Sequence, residues 1–156
     1  MLFDLLSTNP DWIQTAVRMI LGIVFFAHGA QKLLGWFGGP GLKGALRTMH
    51  ELIGLPVPLA FAAVITEFFG GLGLIVGLLS RVAAIGIGVT MLSAIVMVNG
   101  RYGLFLNWFG DRKGHGYEYH LLAIALAAVI VVRGSGAMSL ESPLIHFTQL
   151  IQEIWE

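Results

Sequence analysis

The chain has 156 residues, 56% of them hydrophobic and 12% charged, with nine Lys and Arg against nine Asp and Glu. A soluble domain is about half apolar and about a quarter charged; so apolar and net-neutral a chain argues against a disordered protein and against nucleic acid as a partner. Cysteine is absent, which removes disulfides, thiol redox pairs, iron–sulfur clusters and thiolate metal sites.

With a mean hydropathy of +0.82, the question is whether the apolar residues form runs long enough to span a bilayer. A hydrocarbon core of about 30 Å needs a helix of roughly 17–25 mostly apolar residues. The first such run, residues 13–35, is interrupted by a few spaced polar residues, among them Gln14, Arg18, His28, Gln31 and Lys32. Ahead of it, Asn9-Pro10-Asp11 reads as an N-cap followed by Pro at the first helical position, and Trp12 suits the interface. No Lys or Arg precedes Arg18 and no clean small-x-small cleavage site follows, so this segment is expected to remain as a span. Next, Leu42, Leu46, Met49 and Ile53 recur at helical spacing opposite Lys43, Arg47, His50 and Glu51. They predict an amphipathic helix over residues 42–53, lying in the interface.

The second span, residues 57–79, carries one charge, Glu67, and the third, residues 82–100, carries none. Ser80-Arg81 leaves almost no loop between them, which predicts a tight antiparallel hairpin. Gly70, Gly71, Gly73, Gly77, Gly86 and Gly88 on these spans should let helix backbones approach closely. An aromatic- and glycine-rich connection leads to the fourth span, residues 118–133, which crosses only if its ends lie in the interface or the bilayer thins. Ser142-Pro143 then opens an amphipathic helix over residues 143–155, a surface anchor. The expected fold class is all-α: a bundle of four transmembrane helices with two interfacial helices, one domain over residues 1–156.

Counting residues from the helix ends sorts the polar groups by depth. Both long connections lie on one side of the membrane (side B); the termini and the Ser80-Arg81 turn lie on the other (side A). His28 sits about 10 Å and Glu67 about 15 Å from the side-B ends of their helices, at 1.5 Å per residue. Lys32, Asn99, Arg101, Glu118 and His120 lie nearer the side-B surface. A charge inside a bilayer costs from about 3 kcal/mol upward, so it should face the interior and be paired. His28, Gln31 and Lys32 share one helix face, and Glu67 is the natural acceptor for His28 or Lys32. Arg18, about 15 Å along the axis from His28, is expected to snorkel to the side-A interface. His50, His115 and His146 read as solvated interfacial residues, and Trp36 and Trp108 fit an aromatic belt.

Several chemistries can be weighed against this cluster. Glu118-Tyr119-His120 lacks the short helical ligand spacing of a zinc site, and no metal site is predicted. Haem would need two histidines facing each other at one depth, which His28 and His120 meet only if the connection before the fourth span folds inward. Neither a P-loop nor a nucleophile elbow is present. A quinone fits better: its carbonyls want donors, its ring and tail want apolar walls, and its reduction needs proton carriers. The alternative is that the cluster is interhelical glue in a non-catalytic carrier, chaperone or scaffold.

One pattern is more specific. His28-Gly29-Ala30-Gln31-Lys32-Leu33-Leu34-Gly35-Trp36-Phe37-Gly38-Gly39 resembles the first-helix signature of the DoxX family of small membrane proteins. The resemblance continues through Gly54-Leu55-Pro56, Glu67-Phe68-Phe69-Gly70-Gly71, Gly77-Leu78-Leu79-Ser80-Arg81, Gly103-Leu104-Phe105-Leu106-Asn107 and Gly116-Tyr117-Glu118-Tyr119. It implies a four-helix protein of the bacterial plasma (inner) membrane, associated with redox complexes and often with a partner protein. Its matched polar positions are His28, Gln31, Lys32, Glu67, Asn107 and Glu118.

The sequence therefore predicts a pocket open toward side B, with Glu67, His28 and Glu118 as candidate catalytic groups. Gln31, Lys32, Trp36, Asn99, Asn107 and His120 are the candidate binding groups. Quinone is the leading cofactor, ahead of haem. Besides the lipid bilayer, a soluble or membrane-bound redox partner and a second copy of the chain are the partners left open.

Overall fold

The structure, a computed structural model, describes residues 11–111 and 113–144. The described residues are helical and contain no strand. Helix α1 is Trp12–Leu34 and α2 is Gly41–Ile53. Helix α3 is Val57–Val76, containing a π turn at Thr66–Gly70. Helix α4 is Ser80–Tyr102, with a π turn at Ile95–Asn99 and a final 3₁₀ turn, and α5 is Glu118–Arg133. Helices α1, α3 and α4 are long and apolar enough to cross a membrane. Helix α5 has 16 residues, about 24 Å at 1.5 Å per residue. Residues 141–144 begin a further helical turn; the rest of the helix expected over residues 143–155 lies outside the described residues.

Local chemistry sets these boundaries, with one correction. The N-cap of α1 is Asp11, not Asn9: its carboxylate accepts from the N–H groups of Ile13 at 2.8 Å and Gln14 at 3.3 Å. An aspartate directly before Trp12 satisfies two of the donors that a helix start leaves unpaired. At the other end Gly35 closes α1 with φ 75, a left-handed cap that glycine adopts without strain.

Helix α1 runs along the second half of α3, while α4 packs most extensively on α5. The core between them contains Leu21, Phe25, Leu74, Ile87, Met91 and Ile130, with Ala84, Ala123 and Ala127 filling the close contacts. A Cβ on Gly29 would stand 2.4 Å from the Phe68 backbone, and one on Gly71 would stand 2.3 Å from Phe26 N. The α1–α3 crossing therefore depends on both glycines. Gly71 is one of the glycines the sequence marks for packing, whereas Gly29 is not. Gly88, also marked, faces open space with nothing within 4 Å.

A second correction concerns Arg18. It does not snorkel; it is fully buried. Its Nε donates to Ser135 O at 2.7 Å, one terminal nitrogen donates to Leu74 O and to Ile75 O at 2.9 Å, and the other donates to Met138 O. Helix C-termini leave carbonyls unsatisfied and carry partial negative charge, so the end of α3 offers Arg18 a better environment than the lipid interface. The chain after α5 folds under the α3–α4 turn, with Leu140 N donating to Val76 O and Glu141 N to Gly77 O, both at 3.1 Å. Buried Glu141 accepts from Ser80 N at 2.6 Å. Arg18 thus caps the end of α3, and Glu141 caps the start of α4.

Candidate functional site

The close approach at Gly29 has a chemical consequence one turn further along α1. There Lys32 Nζ donates to both carboxylate oxygens of Glu67, at 2.6 and 2.5 Å. Glu67 stands in the π turn of α3 and is 3% exposed; such turns are frequent at functional sites. The Lys32 side chain keeps 26% of its surface exposed. Of the two partners the sequence offers Glu67, Lys32 is the one that pairs with it.

This ion pair lies in the wall of a cavity of about 770 Å³, within the roughly 300–1,000 Å³ typical of small-molecule sites. Phe25, His28 and Lys32 reach it from α1, and Ala45, Met49 and Ile53 from α2. Thr66 and Glu67 come from α3, Thr90, Ser93 and Asn99 from α4, and Tyr119 and His120 from α5. Most of the remaining lining is aliphatic. The Tyr119 ring neighbours both histidines, with centroids 6.3 Å from His28 and 5.6 Å from His120. Glu67 acts on Tyr119 electrostatically. Among the described residues, Tyr119 Oη and His120 Nδ1 are buried without a hydrogen-bond partner. The site therefore offers an ammonium–carboxylate pair and two imidazoles to a ligand held between apolar walls, with the Tyr119 hydroxyl closed off behind them.

Of the residues singled out by sequence, His28, Lys32, Glu67, Asn99 and His120 line this cavity. Asn99 is tied down at its mouth, donating to His115 O at 2.9 Å. Glu118, Gln31, Trp36 and Asn107 are not among the lining residues. Glu118 accepts from Leu106 N at 3.2 Å, and its own N–H donates to Leu104 O at 2.8 Å, so it fastens the connection ahead of α5. Asn107 N donates to His115 Nδ1 at 3.3 Å in the same connection. Trp36 meets Phe26 edge-on at 6.4 Å, and the Gln31 backbone lies against Gly39. Tyr119 is the cavity residue that sequence reasoning missed. Its place between Glu118 and His120 at the start of α5 was the available signal.

The DoxX family model matches residues 13–100, more than half of the chain and all of the cavity except its α5 wall. The chain belongs to the DoxX family. Among relatives of this DoxX chain is the Bacillus subtilis protein named "Putative oxidoreductase CatD", 33% identical over 82 residues, 53% of this chain and 56% of that protein. Another is the Mycobacterium tuberculosis protein named "Uncharacterized membrane protein Rv3486", 36% identical over 83 residues, 52% of this chain and 47% of that protein. The chain spans about half the length of these relatives. No solved structure matches it significantly. Family membership, apolar helices of spanning length and a relative named as a membrane protein make this a membrane protein.

Proposed function

We propose that this DoxX chain is a redox-associated, four-span subunit of the bacterial plasma membrane that binds a quinone or similar small redox molecule in the cavity. On this reading α5 is the fourth span, with Glu118 and Arg133 at its ends reaching the interfaces, and α2 lies in the side-B interface. The cavity carries the argument: aliphatic walls suit a ring and its tail, and Lys32, His28 and His120 supply donors beside the Glu67 carboxylate. The name of the Bacillus relative, an oxidoreductase, supports the same direction. Interconversion of quinone and quinol moves two electrons and two protons. Without cysteine the chain has no thiol of its own, so on this reading a partner redox protein exchanges the electrons. Lys32 and His28 orient the ring oxygens, Glu67 exchanges protons, and Glu118 anchors the connection behind them.

The test is quinone titration of the purified protein in lipid nanodiscs, with native mass spectrometry to identify the bound species. Glu67→Gln, folded as the wild type, should weaken quinone binding about tenfold, or about 1.4 kcal/mol. Unchanged binding and turnover would overturn the assigned role. One observation favours a second reading: Lys32 satisfies both oxygens of Glu67, as interhelical glue would. In a non-catalytic carrier, chaperone or scaffold, Glu67→Ala lowers stability without any ligand-dependent effect.

A further inference from the structure

Helices α3 and α4 touch through the π turn of α3 and Gly71–Val76, whereas Val57–Ile65 makes no comparable packing against α4. The fork lies at Thr66 and Gly86, where a Cβ on the glycine would stand 2.9 Å from Thr66 Cγ2. From there toward side B a gap separates the two helices. Leu59 and Ala62 line it from α3, and Val89, Ser93 and Met97 line it from α4. These residues face outward as well, with Leu59 58%, Val89 59% and Met97 43% exposed. Both helices have spanning length, so side chains exposed at this depth meet hydrocarbon rather than water.

Polar and apolar features of the lining are separated. Tyr119 Oη and His120 Nδ1 belong to the α5 wall and are buried without partners among the described residues. Both atoms are closed off from the open space, so the polar groups that meet a ligand oxygen are the exposed His28 imidazole and the Lys32 ammonium, whose side chain is 26% exposed. The facing α3–α4 gap is almost wholly apolar. A phospholipid matches the gap but not the polar wall, because the Lys32 ammonium is already neutralised by Glu67 and leaves no free cation for a phosphate. A small, tail-less ring matches the polar wall but leaves the gap to lipid.

We propose that the occupant is a lipid-soluble quinone with a long hydrocarbon tail, which enters from the bilayer between α3 and α4. One ring oxygen seats against the His28 imidazole and the Lys32 ammonium, and the tail lies in the gap. The proposal rests on the quinone reading above and adds the route and the tail. In the oxidised ligand Lys32 Nζ donates to the carbonyl; in the quinol, the ligand hydroxyl donates to an imidazole nitrogen of His28.

The experiment compares a naphthoquinone carrying a long isoprenoid tail with the same ring carrying only a methyl group, on the full chain in nanodiscs. The tailed quinone should bind at least about tenfold more tightly. Ala62→Phe and Ser93→Phe fill the gap from opposite sides. Each should weaken the tailed ligand about tenfold and leave the tail-less one within about twofold. His28→Ala should weaken both ligands to the same degree. Ligand-free elution and melting show that each variant folds, and either phenylalanine variant alone suffices. Equal affinity for the two quinones, or gap variants that weaken both alike, overturns the sideways route and leaves the quinone reading standing. If neither quinone binds and only phospholipid is retained, both fall.

Discussion

Arg18 and Lys32 sit on the same helix, about four turns apart, and both place a cation inside a membrane-spanning segment. Arg18 is fully buried and directed at main-chain carbonyls from the end of α3 and from the segment after α5. Buried Glu141, which caps α4, is its electrostatic partner. Lys32 keeps a quarter of its side chain exposed and holds one carboxylate in the wall of a large cavity. Fixed backbone acceptors give Arg18 a structural task, binding the α3–α4 turn to the far end of the chain. Lys32 and Glu67 satisfy each other but stand beside unpartnered groups and open space, where a ligand can compete for them. Burial of a charge therefore does not identify a site; what surrounds the charge does.

The comparison breaks most directly at Arg18. Arg18→Met strands several buried carbonyls, each costing roughly 1–3 kcal/mol. It should therefore cost about 3 kcal/mol or more, read as melting temperature in detergent. Quinone affinity per folded molecule should stay within about twofold. A variant as stable as the wild type would show that the carbonyl cage is dispensable. The second test is a double-mutant cycle on the ion pair. Glu67→Leu alone leaves Lys32 without its counter-ion and should cost about 3–5 kcal/mol, while replacing both partners by apolar residues is often close to neutral. Lys32→Met with Glu67→Leu should then recover most of the stability and still fail to bind quinone. Recovery of both would reduce the pair to glue.

Much of this contrast was legible in the sequence, for a physical reason. A charge is so costly in hydrocarbon that a lone Glu67 in an apolar run must have a partner, and depth along a helix follows from counting residues. That logic brought His28, Lys32, Glu67, Asn99, Arg101, Glu118 and His120 to one half of the bundle, and all of them except Arg101 and Glu118 line one cavity. It failed at Arg18 because the partners there are backbone carbonyls, which every residue carries and no residue type marks. It failed for Tyr119 because an aromatic at a helix start reads equally well as an interfacial belt. Gly29 escaped because it is embedded in a polar motif, whereas the glycines of the second span stand out against aliphatic neighbours.

Gly29 sharpens the comparison from the packing side. A methyl group there collides with the Phe68 backbone, which cannot move as a flexible side chain could. Gly29→Ala should therefore cost about 1–3 kcal/mol, in the range of overpacked cores, measured by denaturant or thermal unfolding. Because it forces α1 from α3 at the level of Glu67, it should also weaken quinone binding, which Arg18→Met should not. If both variants affect binding equally, the two ends of α1 are coupled and the division between them disappears.

The smallest effect belongs to Glu118, and it marks where the site ends. The carboxylate accepts from Leu106 N, a hydrogen bond to a charged group at a helix start, so Glu118→Ala should cost about 1–2 kcal/mol. Amide exchange at Leu106 should accelerate. Glu118→Gln keeps an acceptor in place and should restore most of that protection, with quinone affinity within about twofold of the wild type. Such a pattern limits Glu118 to anchoring. If Glu118→Gln instead keeps the protection but loses quinone turnover, the carboxylate carries protons, and the proton path extends beyond the cavity wall into the connection ahead of α5.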